Sequence, residues 1–397
     1  MGIKNLSKLL TEELSESVNK VVLNRYVSTK IAIDLSSYLY QYRYNAANKG
    51  RGSHIRGFFE MIISLSKHGI LPIFVKDGRP SQAKQATLDS RQAAKQSKLD
   101  KIRKLQEEIL EIAIPEETES HLSVAPDGEI ALDLNTLLAT NERELSSEEI
   151  LEINLKQQEI SKHQKNIVTI NGSMYRELQE LFDLCGVPML QAAEEADFLC
   201  AKLCKDGITS AVLSEDMDLL THGATKLLRG INSTEFRKDG ILTEYSLDKI
   251  LAYSGLSMSE FIDTCILCGC DYADPPKGVG CKSAFRFIKK HRTIEEVIRT
   301  DKKYNYDSFT YQLARKEFDK SNKEKLTEIT AAKAKVTDSD LLVKFLTTKC
   351  NYTPGTALKK INEINSSHQK LTSPVHLSRK PITVKSRKPK IVLKPRN

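Results

Sequence analysis

The amino-acid sequence predicts an α/β fold whose buried strands end in carboxylates. Three short apolar runs share this pattern, and the acidic residues that end them are Asp34 in KIAIDL, Asp77 in ILPIFVKDG, and Asp216 and Asp218 after Ala211-Val212-Leu213. Open α/β sheets bind ligands at the carboxyl ends of their strands. Because the pattern occurs three times, we expect these carboxylates to converge on one cleft.

Helices are predicted between and after these strands. In the first half of the chain they cover Lys4–Leu14, the tyrosine-rich segment SSYLYQYRY, Ile55–His68 and the basic segment Gln82–Lys104. In the second half they cover Ser173–Cys185, Leu247–Gly255, Ser259–Gly269 and Lys282–Lys290, with a further strand inside LLTHGATKLLRGI. A tyrosine-rich helix usually belongs to the core and its rim, although tyrosines beside basic residues can also stack on bases.

Composition places the protein among intracellular globular proteins. The chain has 397 residues, 40% of them hydrophobic, and a mean hydropathy of -0.38. No run approaches the roughly 18 apolar residues that span a bilayer. The segment MGIKNLSKLL has no signal-peptide core, and Leu6 stands where N-myristoylation requires Ser or Thr. Eight cysteines without a secretory signal are expected to be reduced thiols in the cytosol or nucleus.

Charge is distributed unevenly along the chain. Residues 106–160 contain 15 acidic and 2 basic residues, a net charge of -13, whereas the whole chain carries +8. The remainder therefore carries +21. Such a surplus favours a polyanionic partner, most plainly nucleic acid, although basic surfaces are also common in proteins that bind none.

Two acidic pairs flank the third apolar run: Glu195 with Asp197, and Asp216 with Asp218. Converging carboxylates repel one another and shift their pKa values upward unless a cation neutralises them. An all-carboxylate donor set favours Mg²⁺ or Mn²⁺ over zinc. The alternative for Glu195 and Asp197 is a solvated helix N-terminus, where the dipole favours acids. Asp271, at the end of CILCGCD, is a seventh candidate when Asp34 and Asp77 are counted.

A glycine hairpin follows Asp271. Lys277-Gly278-Val279-Gly280 precedes a predicted helix. Backbone amides of such a hairpin can bind a phosphate because glycines permit close approach. The alternative is a plain helix-capping turn.

Four cysteines near this hairpin raise the question of zinc. They are Cys265, Cys268, Cys270 and Cys281, with spacing C-x2-C-x-C-x10-C. That spacing is not a regular zinc knuckle, and the first three lie in an apolar segment. Buried thiols are therefore favoured over zinc.

Six sequence blocks occur in a characteristic order across about residues 1 to 291. They are MGIKNLSKLL, IAIDLSSYLYQY, ILPIFVKDGRP, AEEADFLCAKL, LSEDMDLLTHG and CILCGCDYADPPKGVGCKSA. Together they resemble the flap endonuclease or XPG family of structure-specific 5′ nucleases. The resemblance implies a PIN-like fold: a central mixed, mostly parallel sheet flanked by helices, with a helical cap or gateway and a C-terminal helix-two-turn-helix region. Lys76 departs from the family, which usually has a hydrophobic residue there.

The resemblance also implies roles for individual residues. It implies two Mg²⁺ ions, replaceable by Mn²⁺, held by Asp34, Asp77, Glu195, Asp197, Asp216, Asp218 and Asp271. Lys84 and Arg91 would reach the scissile phosphate, and Tyr40 would stack on a base next to the cleavage site. Gly2 would lie near the DNA junction. Gly278, Val279 and Gly280 would form a hairpin that grips duplex DNA and in relatives holds a K⁺ ion.

Five regions are expected from this comparison of motifs and composition. They are a nuclease region 1–105 with the basic gateway helix, an acidic cap insertion 106–165, a second nuclease region 166–291, a helical region 292–364 and a disordered basic tail 365–397. The insertion is longer than in typical cellular flap endonucleases, and would bind a partner, exclude the wrong strand or gate the site. The tail would be a DNA tether or a nuclear-import segment. It contains no sequence of the usual sliding-clamp type.

The expected function is Mg²⁺-dependent flap endonuclease and 5′→3′ exonuclease activity in DNA replication, repair or recombination. Its partners would be DNA with 5′ flaps, nicks or junctions, and no membrane. The expected location is the nucleus or, for a viral protein, the cytoplasmic site of viral DNA replication, and the protein would not be secreted. A PIN-like ribonuclease and a non-catalytic junction-binding protein are the alternatives. The sequence leaves the oligomeric state and the preferred DNA structure open.

Overall fold

A computed structural model describes residues 2–44, 52–79, 81–113, 145–165, 167, 170–320 and 334–370. Its centre is a seven-stranded sheet with the strand order β1-β7-β6-β5-β2-β3-β4. The strands are β1 Val18–Val22, β2 Lys30–Asp34, β3 Leu71–Lys76, β4 Met189–Gln191, β5 Ala211–Leu213, β6 Lys226–Arg229 and β7 Ile241–Ser246. Strands β4, β3, β2, β5 and β6 are parallel, while β7 pairs antiparallel with β6 and β1. The predicted mixed, mostly parallel sheet is confirmed.

The helices pack on both faces of this sheet. The N-terminal half has α1 Leu6–Glu13, α2 Leu35–Tyr44, α3 Ser53–Ser66, α4 Gln85–Ala113, α5 Ser147–Lys165 and α6 Gly172–Cys185. Around the remaining strands lie α7 Ala196–Lys205, α8 Asp218–Thr221, α9 Thr234–Asp239, α10 Leu247–Ser254, α11 Met258–Cys268 and α12 Cys281–His291. The chain continues through α13 Ile294–Thr300, α14 Tyr311–Phe318, α15 Ser339–Cys350 and α16 Pro354–Lys370.

Alternating side chains of the strands divide the interior into two cores. In β2, Ala32 faces the core that contains α1, α7, α8 and α10 to α14. Its neighbours Ile31 and Ile33 face the core that contains α2, α3, α6, α15 and α16. Successive side chains of a strand point to opposite faces, so continuous apolar runs fit strands covered on both sides.

Helices α4 and α5 form a separate pair with an apolar cluster of its own. A third apolar cluster joins them through Ile102, Ile109, Ile153 and Ile160. Lys156 on α5 also bonds Glu108 on α4, with 2.6 Å between Nζ and Oε2. The two helices, which precede and follow residues 114–144 in the chain, therefore stabilise each other; residues 114–144 lie outside the described part of the chain.

Two region boundaries differ from those predicted. Helix α4 continues through Ala113, so the expected boundary at 105 lies inside it, because Ile109 and Ala113 remain buried. Helix α16 continues to Lys370 past the expected start of the tail at 365, since Ile361 and Ile364 anchor it in the core. Strands β1, β4 and β7 have no strong apolar run and were not predicted. The rest of the predicted tail, 371–397, lies outside the described residues.

No single helix in the described ranges is long and apolar enough to cross a membrane. Only α10 and α11 taken together meet that test of length and composition, and they are bent by 91°.

Candidate active site

The predicted carboxylates lie along the carboxyl edge of the parallel strands. Asp34 ends β2, Asp77 follows β3 directly, and Asp216 lies three residues after β5. Strand order reverses between β2 and β5, because β3 and β4 continue on one side and β6 on the other. Such a switch point opens a crevice at the carboxyl ends of the strands. Topology therefore brings Asp34 and Asp216 to the same crevice.

Asp34 is held at the switch point by hydrogen bonds from both sides. Its Oδ1 accepts from the backbone N–H of Ser37 at 3.1 Å, and its Oδ2 accepts from Ser214 Oγ at 3.0 Å. Ser214 Oγ also accepts from the backbone N–H of Asp216 at 3.1 Å. The serine after β5 thus links the two acidic strand ends.

Asp77 and the start of α7 form the second part of the site. Asp77 Oδ1 accepts from the backbone N–H of Ala196 at 2.8 Å, and its Oδ2 accepts from Ser36 Oγ. Glu195 is the N-cap residue of α7, and Asp197 lies in its first turn. The alternative of a solvated helix N-terminus is wrong for Glu195, whose exposed fraction is 5%.

Asp216 and Asp218 form the third part, against the N-terminal segment. Asp218 Oδ1 accepts from the backbone N–H of Ile3 at 2.7 Å, and Asp216 Oδ1 accepts from that of Asp218 at 3.0 Å. Gly2 has φ of +77°, and a Cβ there would lie 2.0 Å from Asp216 Oδ1 and 2.2 Å from Asp218 Oδ1. The backbone at Gly2 therefore packs on these carboxylates in a way that only glycine permits.

Asp271 lies in the loop between α11 and α12. Two basic residues, Lys84 and Arg91, contact its carboxylate, and Lys84 also contacts Glu195. Arg91 on α4 donates to both its carboxylate oxygens at 3.0 and 2.8 Å. Lys84 Nζ lies 2.6 Å from Glu195 Oε2 and 3.4 Å from Asp271 Oδ2. Thr87 Oγ1 donates to the Asp271 carbonyl at 2.6 Å. The start of α4 is thereby tied to the carboxylates.

Burial raises the pKa values of the clustered carboxyl groups. It raises the pKa of Asp34 to about 7, with the charges of Asp77 and Asp216 contributing. Burial is also the first cause of the raised carboxyl pKa values of Glu195, Asp197, Asp216 and Asp218. Burial lowers the pKa of the Lys84 ammonium, but Glu195 and Asp197 outweigh it, so that the net pKa is raised. Lys84 therefore stays protonated, but its single positive charge does not offset the raised pKa values of Glu195 and Asp197.

The donor set fits divalent metal ions. Glu195 Oε1 and Asp197 Oδ1 are buried and have no hydrogen-bond partner. Their oxygens and those of the raised-pKa carboxylates are ligands that Mg²⁺ and Mn²⁺ prefer. As the side chains stand, no group of three or more His, Cys, Asp or Glu within the described ranges is arranged to hold a metal ion. Lys84 and Arg91 draw Glu195 and Asp271 into salt bridges instead.

Tyr40 and the glycine hairpin are further residues predicted to contact DNA. Tyr40 is 46% exposed and lies one helical turn after Ser36 on α2. Gly278 has φ of +89°, and Gly280 is the N-cap residue of α12. Val279 belongs to the core, with an exposed fraction of 6%, so its side chain is not available to DNA. In the hairpin Gly278, Gly280 and the side chain of Lys277 are exposed.

Sequence reasoning missed several polar partners of the carboxylates. Ser36, Ser214 and Tyr272 all donate hydrogen bonds to them, the last from its hydroxyl to Glu195 Oε2 at 3.3 Å. Ser214 and Tyr272 lie beside predicted carboxylates in LSEDMD and GCDYAD, which was the available signal. The role of Ser36 depends on long-range packing and leaves no such pattern.

All eight cysteines are buried free thiols. Cys281 Sγ donates to the carbonyl of Lys4 at 2.7 Å. The preference for buried thiols over zinc is consistent with both observations.

Solved structures with the same architecture are nucleases. The catalytic core of Rad2 in complex with DNA substrate has a TM-score of 0.61 and 18% identity, covering 91% of this chain and 100% of that one. Flap endonuclease-1 from Methanococcus jannaschii has a TM-score of 0.57 and 21% identity, covering 89% and 97%. Human GEN1 in complex with Holliday junction DNA has a TM-score of 0.58 and 18% identity, covering 98% and 85%. The chain has the PIN-like nuclease fold.

Sequence comparison identifies the family within the nucleases of this fold. The XPG N-terminal domain model matches residues 1–98, and the XPG I-region model matches residues 186–271. Flap endonuclease 1-B of Physcomitrium patens is 30% identical over 377 residues, covering 91% of this chain and 95% of the relative. Flap endonuclease 1 of Heterostelium pallidum is 32% identical over 359 residues, covering 87% and 80%. The chain belongs to the flap endonuclease and XPG family of structure-specific 5′ nucleases.

Proposed function

We propose that this chain is a Mg²⁺-dependent flap endonuclease with 5′→3′ exonuclease activity, acting on DNA with 5′ flaps, nicks or junctions. One observation carries the proposal: buried and half-buried carboxylates at the ends of β2 and β3, at the start of α7 and after β5 line one sheet edge, with Lys84 and Arg91 beside them. Family membership supports the reaction class. The metal, the DNA structure cut and the residue roles are the proposed parts.

Asp34, Asp77, Glu195, Asp197, Asp216, Asp218 and Asp271 would hold two Mg²⁺ ions. When bound, such ions activate a water molecule and stabilise charge on the attacking and leaving oxygens of the phosphodiester. The protein orients these ligands through Ser37, Ser214, Ser36 and the backbone N–H groups of Ile3 and Ala196. Fixed ligands keep the charge of the site in place before substrate arrives.

Lys84 and Arg91 would exchange carboxylate partners for phosphate. Lys84 has a side-chain exposure of 16% and lies between Glu195 and Asp271, whereas Arg91 is 47% exposed. A phosphodiester entering the crevice offers both cations an anionic partner, and the released carboxylates gain freedom to bind metal. Lys84 would contact the scissile phosphate, and Arg91 would position it.

The hairpin would hold the duplex at a distance from the cut. Support comes from the outward-facing backbone of Gly278 and Gly280 and from the exposed basic side chains Lys277, Lys282, Arg286 and Lys289 around it. Backbone contacts at phosphates position DNA without reading sequence. A K⁺ ion at the hairpin carbonyls is part of the proposal. Tyr40 would stack on a base at the crevice entrance.

Cleavage of a 5′-labelled flap duplex in Mg²⁺ tests this function, with a nicked duplex, a four-way junction, a single DNA strand and a single RNA strand as comparison substrates. Incision at the base of the flap, with little cutting of either single strand, is the expected result. Preferred cutting of the RNA strand would favour a ribonuclease. Tight junction binding with no incision in Mg²⁺ or Mn²⁺ would favour a non-catalytic protein.

A further inference from the structure

Lys76 interrupts an otherwise buried strand. The preceding five residues of β3 are fully buried, whereas Lys76 is half-buried. Side chains alternate along a strand, so Lys76 shares a face with Phe74, and Asp77 shares the opposite face with Val75. Phe74 packs in the core beside α2, α3 and α6, and Val75 in the core beside α7. Lys76 therefore lies on the α2 and α6 side of the catalytic edge.

The ammonium group of Lys76 is paired with an aromatic ring. Its Nζ lies 4.6 Å from the centroid of the Tyr175 ring, on α6. Among the described residues, no carboxylate forms a salt bridge with Lys76. An aromatic face orients a cation without cancelling its charge as a carboxylate would. Lys76 thus presents positive charge beside a site in which Lys84 and Arg91 are ion-paired.

Tyr175 connects Lys76 to the catalytic crevice. Its hydroxyl lies 3.4 Å from Ser36 Oγ, and Ser36 donates to Asp77. Tyr40 lies one turn further along α2 than Ser36 and is 46% exposed. The charges of Asp77 and Tyr40 also act on the Tyr175 hydroxyl, whose pKa is raised first by burial. Two tyrosines and one cation therefore line the same side of the crevice, next to Asp77.

We propose that Lys76 and Tyr175 form a binding site for a phosphodiester group of the single-stranded 5′ segment of the substrate. The proposal rests on the proposed flap endonuclease function. Aromatic rings beside positive charge bind single strands because their bases are free to stack, whereas a duplex hides its base faces. The ring of Tyr175 holds the ammonium in place, the ammonium contacts the phosphate, and Tyr40 is positioned to stack on the adjoining base.

Binding measured by fluorescence anisotropy in EDTA tests this site without cleavage. The two substrates are a 5′-flap duplex and the same nicked duplex without a flap, each over a series of salt concentrations. The variants are Lys76→Met, Lys76→Arg, Tyr175→Phe and Tyr175→Leu. Met keeps the length of the lysine stem, Arg keeps its charge, and Phe keeps the ring.

Lys76→Met is expected to weaken flap binding about three- to tenfold and to reduce the salt slope by about 0.7, the value for one phosphate contact on a single strand. Binding of the nicked duplex should change less than twofold. Tyr175→Leu should behave like Lys76→Met. Lys76→Arg and Tyr175→Phe should remain near wild type.

Two results would overturn the site. One is unchanged flap affinity and salt slope in Lys76→Met. The other is an equal loss on both substrates together with a lower melting temperature, which would assign Lys76 a purely structural role. Failure of the wild type to incise flap DNA in Mg²⁺ would refute the proposed function, but Lys76-dependent flap binding in EDTA would still support this site.

Discussion

Replacing one buried carboxylate should stabilise the metal-free protein while abolishing its activity. Asp218 is 3% exposed, and burial and the charges of Asp216 and Asp271 raise its pKa well above the ordinary range. Without metal, burial and these neighbouring negative charges therefore disfavour its ionised form. Asp218→Asn keeps the shape and an oxygen that can accept from the Ile3 N–H, but it removes the charge.

The sign and size of the effect follow from proton linkage. A carboxyl whose pKa is higher in the folded than in the unfolded state favours folding at low pH, and this contribution is lost as pH rises through the folded pKa. Each unit of difference corresponds to about 1.4 kcal/mol. A stabilisation of about 1.4 kcal/mol in Asp218→Asn would raise the melting temperature by roughly 2 °C in a chain of this size.

Thermal unfolding in EDTA at pH 7.5 and pH 4.5 measures this effect. The expected gain for Asp218→Asn at pH 7.5 should shrink at pH 4.5, where the folded wild type protonates its own carboxyl. Mg²⁺ should stabilise the wild type more than the variant. Asp307→Asn, at an exposed position, serves as the control and should shift neither curve.

A lower melting temperature for Asp218→Asn at pH 7.5 in EDTA would refute the reasoning. It would mean that the hydrogen bond from Ile3 N–H to an ionised carboxylate contributes more than the repulsion within the cluster costs.

Three further predictions follow from contacts at the site. Gly2→Ala should reduce flap cleavage about 100-fold, because its Cβ would lie 2.0 Å from Asp216 Oδ1, whereas Gly207→Ala, with φ of +74° and no atom within 4 Å, should cut normally. Lys84→Met should lower the single-turnover rate about 100-fold and reduce metal-free thermal stability; normal cleavage would contradict its phosphate role. Removing 371–397, with eight Lys and Arg and no acidic residue, should weaken DNA binding and flatten its salt dependence; an unchanged slope would exclude a tether.

The strands that carry catalytic candidates could be predicted because they are buried on both faces. KIAID and LPIFVK are continuous apolar runs, and each ends in or just before a carboxylate. Edge strands leave a weaker signal. Strand β1, with sequence VNKVV, has mostly exposed or half-buried residues, and its place beside β7 depends on a contact between residues more than 200 positions apart.

The sequence predicted the acidic residues of the site better than the contacts that the basic residues make with them. Asp34, Asp77 and Asp216 follow apolar runs, which local sequence shows directly. Lys84 was expected to face DNA, and its salt bridges to Glu195 and Asp271 depend on how α4 meets two distant loops. The cation–π contact of Lys76 is a tertiary feature of the same kind. Sequence marked that residue only as a departure from the family pattern.

The most direct test of the shared carboxylate site is the Mg²⁺ dependence of flap incision in wild type and in Asp34→Asn. Asp34 lies on β2, across the switch point from Asp216 and Asp218. The account predicts incision at the flap base that requires Mg²⁺, stops in EDTA and is lost in the folded Asp34→Asn variant. Incision in EDTA, or wild-type incision by Asp34→Asn at the same Mg²⁺ concentration, would contradict a metal site that includes both sides of the crevice.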